Sequence, residues 1–174
     1  QRQHHVHRRQ HQHEIRQPHQ PIVYQATGRG GVASARCRRR AQSPAEVSPD
    51  GSIAGLKASF VNVGGIRTRY YEAGRGEPIV LLHGEGWSGH SSANVWSKNI
   101  QGLGKQFHVL APDRLGSGMT DNPKDDKDYN YLGEVEHIYQ FIQVMKLGKV
   151  NLVGHSAGGA VAFYYWKKQP AATR

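Results

Sequence analysis

The chain has 174 residues, with 23 Lys and Arg against 13 Asp and Glu, a formal charge of +10; that is enough for one domain and short for two. No apolar run approaches the roughly 18 residues that cross a bilayer, and no secretory leader pattern stands at the front. Cys37 is the single cysteine, which excludes an intramolecular disulfide and a cysteine zinc site.

In chain order, residues 1–55 read as a disordered, basic tail. His4, His5, His7, His11, His13 and His19 lie among Gln and Arg, and arginines crowd residues 36–40. Residues 1–57 hold 10 basic and 3 acidic side chains, a net of +7 against +3 for the rest. No apolar period is sustained, so little burial offsets the entropy of ordering. Metal binding by the histidines, nucleic-acid binding by the arginines and a targeting role are weighed and disfavoured. The spacing follows no ligand pattern, and no aromatic residues interleave the arginines as stacking platforms. The chain starts at Gln1 and its methionines are Met119 and Met145, which reads as a front that is processed or partial. The absent leader and spanning segments favour the cytoplasm.

Residues 56–174 read as one α/β unit. A strand over 58–63, the Gly64-Gly65 turn and a strand over 66–73 form an opening hairpin. The continuous apolar run 79–82 suits a strand buried on both faces of a parallel sheet. Ser92 caps a helix over 93–103, and 107–111 is another buried strand, ended by Pro112. From 131 to 146, Leu132, Val135, Ile138, Tyr139, Ile142 and Met145 recur on one helical face, with Gly148 as the C-terminal stop. A strand over 150–153 and a helix over 157–168 follow. A hairpin and then alternating strands and helices specify a mostly parallel sheet with flanking helices.

The sharpest chemical signal is Gly154-His155-Ser156-Ala157-Gly158, set directly between a strand and a helix. A Gly-x-Ser-x-Gly turn in that setting lifts a serine hydroxyl out at the carboxyl end of a sheet. It aims the next backbone N–H, that of Ala157, at the place where an oxyanion forms. Gly154, Gly158 and Gly159 supply the small flanks. Leu82-His83-Gly84-Glu85-Gly86 ends the third strand and can offer a second N–H, from Glu85. Asp113-Arg114-Leu115-Gly116-Ser117-Gly118 reads as a structural crossover turn, with Asp113 a turn anchor rather than a catalytic acid.

Over about residues 60–169 the chain resembles the α/β-hydrolase superfamily. The run Gly64-Gly65-Ile66-Arg67-Thr68-Arg69-Tyr70-Tyr71-Glu72-Ala73-Gly74 and the run Leu147-Gly148-Lys149-Val150-Asn151-Leu152-Val153-Gly154 are similar to the meta-cleavage-product hydrolases, which are serine-dependent carbon–carbon bond hydrolases of aromatic degradation. The resemblance implies Ser156 as nucleophile, the N–H groups of Glu85 and Ala157 as oxyanion donors, and Asn94 as a substrate contact. Trp87 would narrow the pocket. It implies no cofactor, no metal and a small carbonyl or ester substrate. His155 and Ala157 flank the serine where the subgroup has Asn and Met, so a carboxylesterase or a haloperoxidase-like hydrolase stays open as an alternative. A non-catalytic fragment whose basic tail binds nucleic acid or an acidic surface is the alternative of another class.

A serine needs a base and an orienting acid, and the superfamily order is Ser, Asp or Glu, then His. After Ser156 the chain has none of these residues. The expectation is an incomplete, inactive hydrolase, with His155, His83 and His90 as poor stand-ins for the base. Strand 150–153 is then an exposed edge, open to oligomerisation or aggregation.

Overall fold

The computed structural model describes residues 47–85 and 91–174. The expectations placed on the histidine-rich and arginine-rich tail before Val47, and on Trp87 and His90, lie outside the described residues.

Order starts earlier than position 56. Ile53 bridges both Val47 and Leu56, and Ile53 and Leu56 are buried. Burial of these two side chains, together with the Gly51 carbonyl accepting from Tyr71, fastens a segment whose composition looked solvated. β1 (Ser59–Val63) and β2 (Ile66–Ala73) follow. Gly64 and Gly65 join them, both with positive φ (+60° and +86°), as a tight type I′ turn demands. β3 (Glu77–Leu82) starts two residues before its apolar run and takes in Pro78. A short 3-10 turn, Ala93–Trp96, capped by the Ser92 hydroxyl, leads into α1 (Ser97–Leu103). β4 (Phe107–Pro112), α2 (Tyr131–Val144), β5 (Asn151–Gly154) and α3 (Ala157–Lys168) complete the order.

The five strands form one mixed sheet in the order β1-β2-β4-β3-β5. β1 and β2 are antiparallel, β2 meets β4 antiparallel, and β3 runs parallel to both β4 and β5. Strand alternation divides the core between the two faces. Val80, Leu82 and Leu110 point toward α2 and α3, where they meet Val135, Ile138, Phe141, Ile142, Val161 and Tyr165. Ile79, Leu81, Val109 and Ala111 point the other way, onto Ile53, Leu56, Tyr71, Ala93 and Ile100.

Helix α2 differs from its sequence reading in two ways. Its buried face is Val135, His137, Ile138, Phe141 and Ile142, while Leu132 is 64% exposed. The helix also stops before Gly148. Lys146 takes the left-handed conformation (φ +53°), and its N–H donates to the Gln143 carbonyl while the Leu147 N–H donates to that of Ile142. This is a Schellman closure with lysine where glycine is usual. Docking of Leu147 on the core fixes the exit and outweighs the local preference.

The chain passes from β3 to β4 on one side and then returns to β5 on the other side of β3. In an open α/β sheet, such a reversal opens a crevice at the carboxyl ends of the two diverging strands, where ligands bind. Here those ends are His83-Gly84-Glu85 and Gly154-His155-Ser156.

Candidate active site

Ser156 stands between the end of β5 and the first turn of α3, with φ +52° and ψ −121°. A non-glycine residue pays on the order of 1–3 kcal/mol for such a backbone, and persists there only when its surroundings over-determine it. They do so here. The His155 N–H donates to the Leu82 carbonyl at 3.0 Å, that of Gly158 to His155 at 2.9 Å, and that of Gly159 to Ser156 at 2.8 Å. Close approach does the rest. A Cβ on Gly158 would lie 2.5 Å from the His83 carbonyl oxygen and nearer still to that of Leu82, and one on Gly154 would press on the Gly158 carbonyl. Gly159 differs from expectation, because a Cβ there meets nothing closer than 3.5 Å.

The turn leaves Ser156 exposed. The backbone N–H of Ala157, the first residue of α3, has no acceptor among the described residues. The end of β3 abuts the same spot, since a Cβ on Gly84 would come within 2.9 Å of both Ser156 Cβ and His155 Nδ1. Glu85 follows at once. Two strand ends thus bring the serine, the first N–H of a helix and a glycine turn together at the carboxyl edge of the sheet.

The family is decided by residues 77–172, which match the alpha/beta hydrolase fold family. The chain belongs to the α/β-hydrolase family. It is close to the meta-cleavage-product hydrolases. It is 44% identical over 102 residues to a 2-hydroxy-6-oxo-6-(2'-aminophenyl)hexa-2,4-dienoic acid hydrolase of Metapseudomonas resinovorans, which covers 58% of this chain and 34% of that protein. A solved serine hydrolase involved in carbazole degradation superposes with a TM-score of 0.63 at 35% identity, over 68% of this chain and 45% of the other. A soluble epoxide hydrolase of Corynebacterium sp. (strain C12) is 36% identical over 103 residues, 59% of this chain and 34% of the other. The chain therefore spans about a third of the length of these curated relatives.

Behind the hydrolase elbow lies a buried polar frame. His83 is fully buried. Its Nε2 accepts the Arg114 N–H at 3.0 Å, so Nδ1 carries the proton and donates to the Gly84 carbonyl at 2.7 Å. Burial pushes this imidazole down to about 4, with the Arg114 charge adding to the effect. His83 therefore fastens its own loop as a neutral group and has no lone pair free for Ser156. Arg114, 1% exposed, donates from Nη1 to Glu134 Oε2 at 2.6 Å, and its Nη2 lies 3.5 Å from Glu85 Oε1. Burial raises the Glu134 carboxyl, opposed by Arg114. The Glu85 carboxylate thus has a cation beneath it.

Asp113 is buried, and four groups converge on its carboxylate. Arg69 Nη2 donates to Oδ1 at 2.8 Å, and Arg69 Nε lies 2.7 Å from Oδ2 without in-line hydrogen-bond geometry. The Ala93 N–H donates to Oδ1 at 2.7 Å and the Met119 N–H to Oδ2 at 2.8 Å. This is the anchoring role expected of Asp113. Removing one member of such a pair strands a buried charge, a loss of about 3–5 kcal/mol.

Asn94 joins this frame. Its Oδ1 accepts from Arg69 Nη2 at 2.9 Å and lies 2.6 Å from the Tyr71 hydroxyl. The amide is thereby held with its oxygen turned inward. Among the described residues no histidine ring bonds the Ser156 hydroxyl. His137 pairs with Thr68 Oγ1 at 2.9 Å and His108 with Glu72 at 2.6 Å. Nor do the described residues hold any group of three His, Cys, Asp or Glu able to bind a metal, and no described helix is long and apolar enough to cross a membrane.

Arg69, Arg114 and Glu134 are the residues that sequence reasoning missed. Arg69 sits in a strand that reads as half-solvated, and nothing local distinguishes its buried guanidinium from the exposed one of Arg67. For Arg114 a local signal exists, since it directly follows Asp113 at the end of a strand whose last four residues are apolar and buried.

Proposed function

We propose that Ser156 is the nucleophilic hydroxyl of a hydrolase, with the backbone N–H groups of Glu85 and Ala157 as its oxyanion donors. The single observation that carries this reading is the positive-φ backbone at an exposed serine, with the Gly84 turn closed against it. A strained backbone at an exposed side chain is retained for what it presents. Each oxyanion donor is worth about 2.7–4 kcal/mol of transition-state stabilisation. The likeness to a dienoic acid hydrolase and to a carbazole-degradation serine hydrolase supports a meta-cleavage-type diketo acid as substrate. In that reaction the bond between a carbonyl carbon and its neighbouring carbon breaks. The water oxygen ends on the acyl carbon as a carboxylate, and a proton ends on the departing carbon.

Asn94, its oxygen already committed, offers its Nδ2 donors to the substrate. The proton acceptor for Ser156 is a group outside the described residues. Serine at the elbow favours this chemistry over epoxide opening, which calls for a carboxylate there. Small Ala157 after the serine and His155 before it favour an esterase as the second reading.

A fluorophosphonate probe followed by peptide mapping tests the assignment. The adduct is expected on Ser156, and not in Ser156→Ala. Preferential labelling of any other serine overturns it. Turnover of a meta-cleavage dienoate against a p-nitrophenyl ester then separates the two substrate classes.

A further inference from the structure

The N–H of Glu85 shares a peptide unit with the carbonyl of Gly84, and that carbonyl accepts twice. His83 Nδ1 donates to it at 2.7 Å, and the Ser91 hydroxyl donates to it as well. The direction of the second bond follows from the tautomer of the ring. Nδ1 carries the imidazole proton, because Nε2 accepts the Arg114 N–H. Ser91 Oγ lies 3.2 Å from Nδ1 and can only accept there, which leaves its own proton for the Gly84 oxygen. The same tautomer denies Ser91 a base, so this hydroxyl is not a second nucleophile.

Both donors are placed by the end of β4. The Arg114 N–H fixes the His83 ring. The Asp113 carboxylate accepts from the Ala93 N–H at 2.7 Å, two residues beyond Ser91, and Ser92 between them caps the 3-10 turn. A planar trans peptide points its N–H opposite to its C=O. The Gly84 oxygen is drawn toward a fully buried ring, so the Glu85 N–H turns away from that ring. It has no backbone acceptor among the described residues, and Gly84 itself is packed against Ser156. Linked hydrogen bonds reinforce one another by about 10–30% per bond, so donors on the carbonyl strengthen the amide on the far side of the same peptide.

We infer that Ser91 is a positioning residue for this site. Its hydroxyl, together with the His83 ring, holds the plane of the Gly84–Glu85 peptide and polarises it, so that the Glu85 N–H meets a developing oxyanion without rearranging. The inference rests on the reading of that N–H as an oxyanion donor and of Ser156 as the nucleophile. One such donor is worth about 10²–10³ in rate, so a reinforcement of about 10–30% amounts to roughly two- to eightfold.

The test compares the full chain with Ser91→Ala, Ser91→Cys and Ser91→Thr. The nuclear magnetic resonances of the Gly84 carbonyl carbon and the Glu85 amide nitrogen report the bond without any label. Both move in Ser91→Ala and in Ser91→Cys, which keeps the side chain's shape but is a weak donor, and both return in Ser91→Thr. All three variants melt like the parent. Fluorophosphonate labelling of Ser156 slows by roughly two- to eightfold in the first two variants and recovers in Ser91→Thr. Unmoved resonances overturn the inference. So does a fall in melting temperature with the labelling rate of the folded protein unchanged, which is what a merely structural hydroxyl would give, and so does an adduct on Ser91. If the parent is not labelled at Ser156 while the two resonances move as stated, the nucleophile reading has failed and the hold on the peptide stands.

Discussion

Gly158→Ala is the sharpest probe of the elbow. The added methyl would stand 2.5 Å from the His83 carbonyl oxygen and closer to that of Leu82. A carbon and a carbonyl oxygen settle at about 3.3 Å or more, so the start of α3 must retreat from the end of β3 by at least about 0.8 Å. Both obstructing atoms belong to the backbone of a central strand and cannot rotate away. Overpacking of this kind costs about 1–3 kcal/mol, and the upper end applies. Gly159→Ala is the control, because its methyl meets nothing closer than 3.5 Å, and alanine in a helix gains up to about 1 kcal/mol over glycine. Both variants change the unfolded chain equally, so their difference isolates the clash at about 2–3 kcal/mol. Urea unfolding at pH 7 measures it directly. Thermal melts should separate the two by about 10 °C, at roughly 4 °C per kcal/mol for a domain of this size. Gly158→Ala should also slow fluorophosphonate labelling of Ser156, while Gly159→Ala leaves it unchanged. If the two variants unfold within about 0.5 kcal/mol of each other, the packing account of the turn is wrong.

Two further outcomes follow from the same structure. His83 and His137 are both held neutral by burial, with folded values of about 4 against 6.5. The unfolded chain therefore binds these protons first. Their stabilisation is intact above pH 6.5, declines as the pH falls toward 4, and drops by more than about 1 kcal/mol per pH unit per histidine. His137→Leu, which gives up only the bond to Thr68, should make the urea midpoint about half as sensitive to pH between 6.5 and 4.5, and an unchanged slope would contradict the buried neutral histidine. At the end of α2, Lys146 sits at φ +53°, where a side chain costs about 1 kcal/mol. Lys146→Gly should raise the unfolding free energy by about that amount, and a fall instead would show that the lysine side chain holds the cap.

The order of elements, the hairpin at Gly64-Gly65 and the elbow at Ser156 were legible in the sequence because each depends on neighbours along the chain. An apolar run between breakers makes a strand, two glycines make a tight turn, and Gly-x-Ser-x-Gly between strand and helix leaves the serine little freedom. The ends of α2 and the folding-in of residues 47–55 were not legible, since both are settled by contacts with distant parts of the core. The same holds for the frame under the site. Arg69 meets Asp113 across 44 positions, and Arg114 meets Glu134 across 20. A charged side chain enters a core only where a partner waits for it, and the partner is placed by the folding of the sheet. Local sequence therefore fixed where the hydroxyl would stand, while tertiary packing decided which charges and carbonyls surround it, because electrostatic pairing acts through space and leaves no period along the chain.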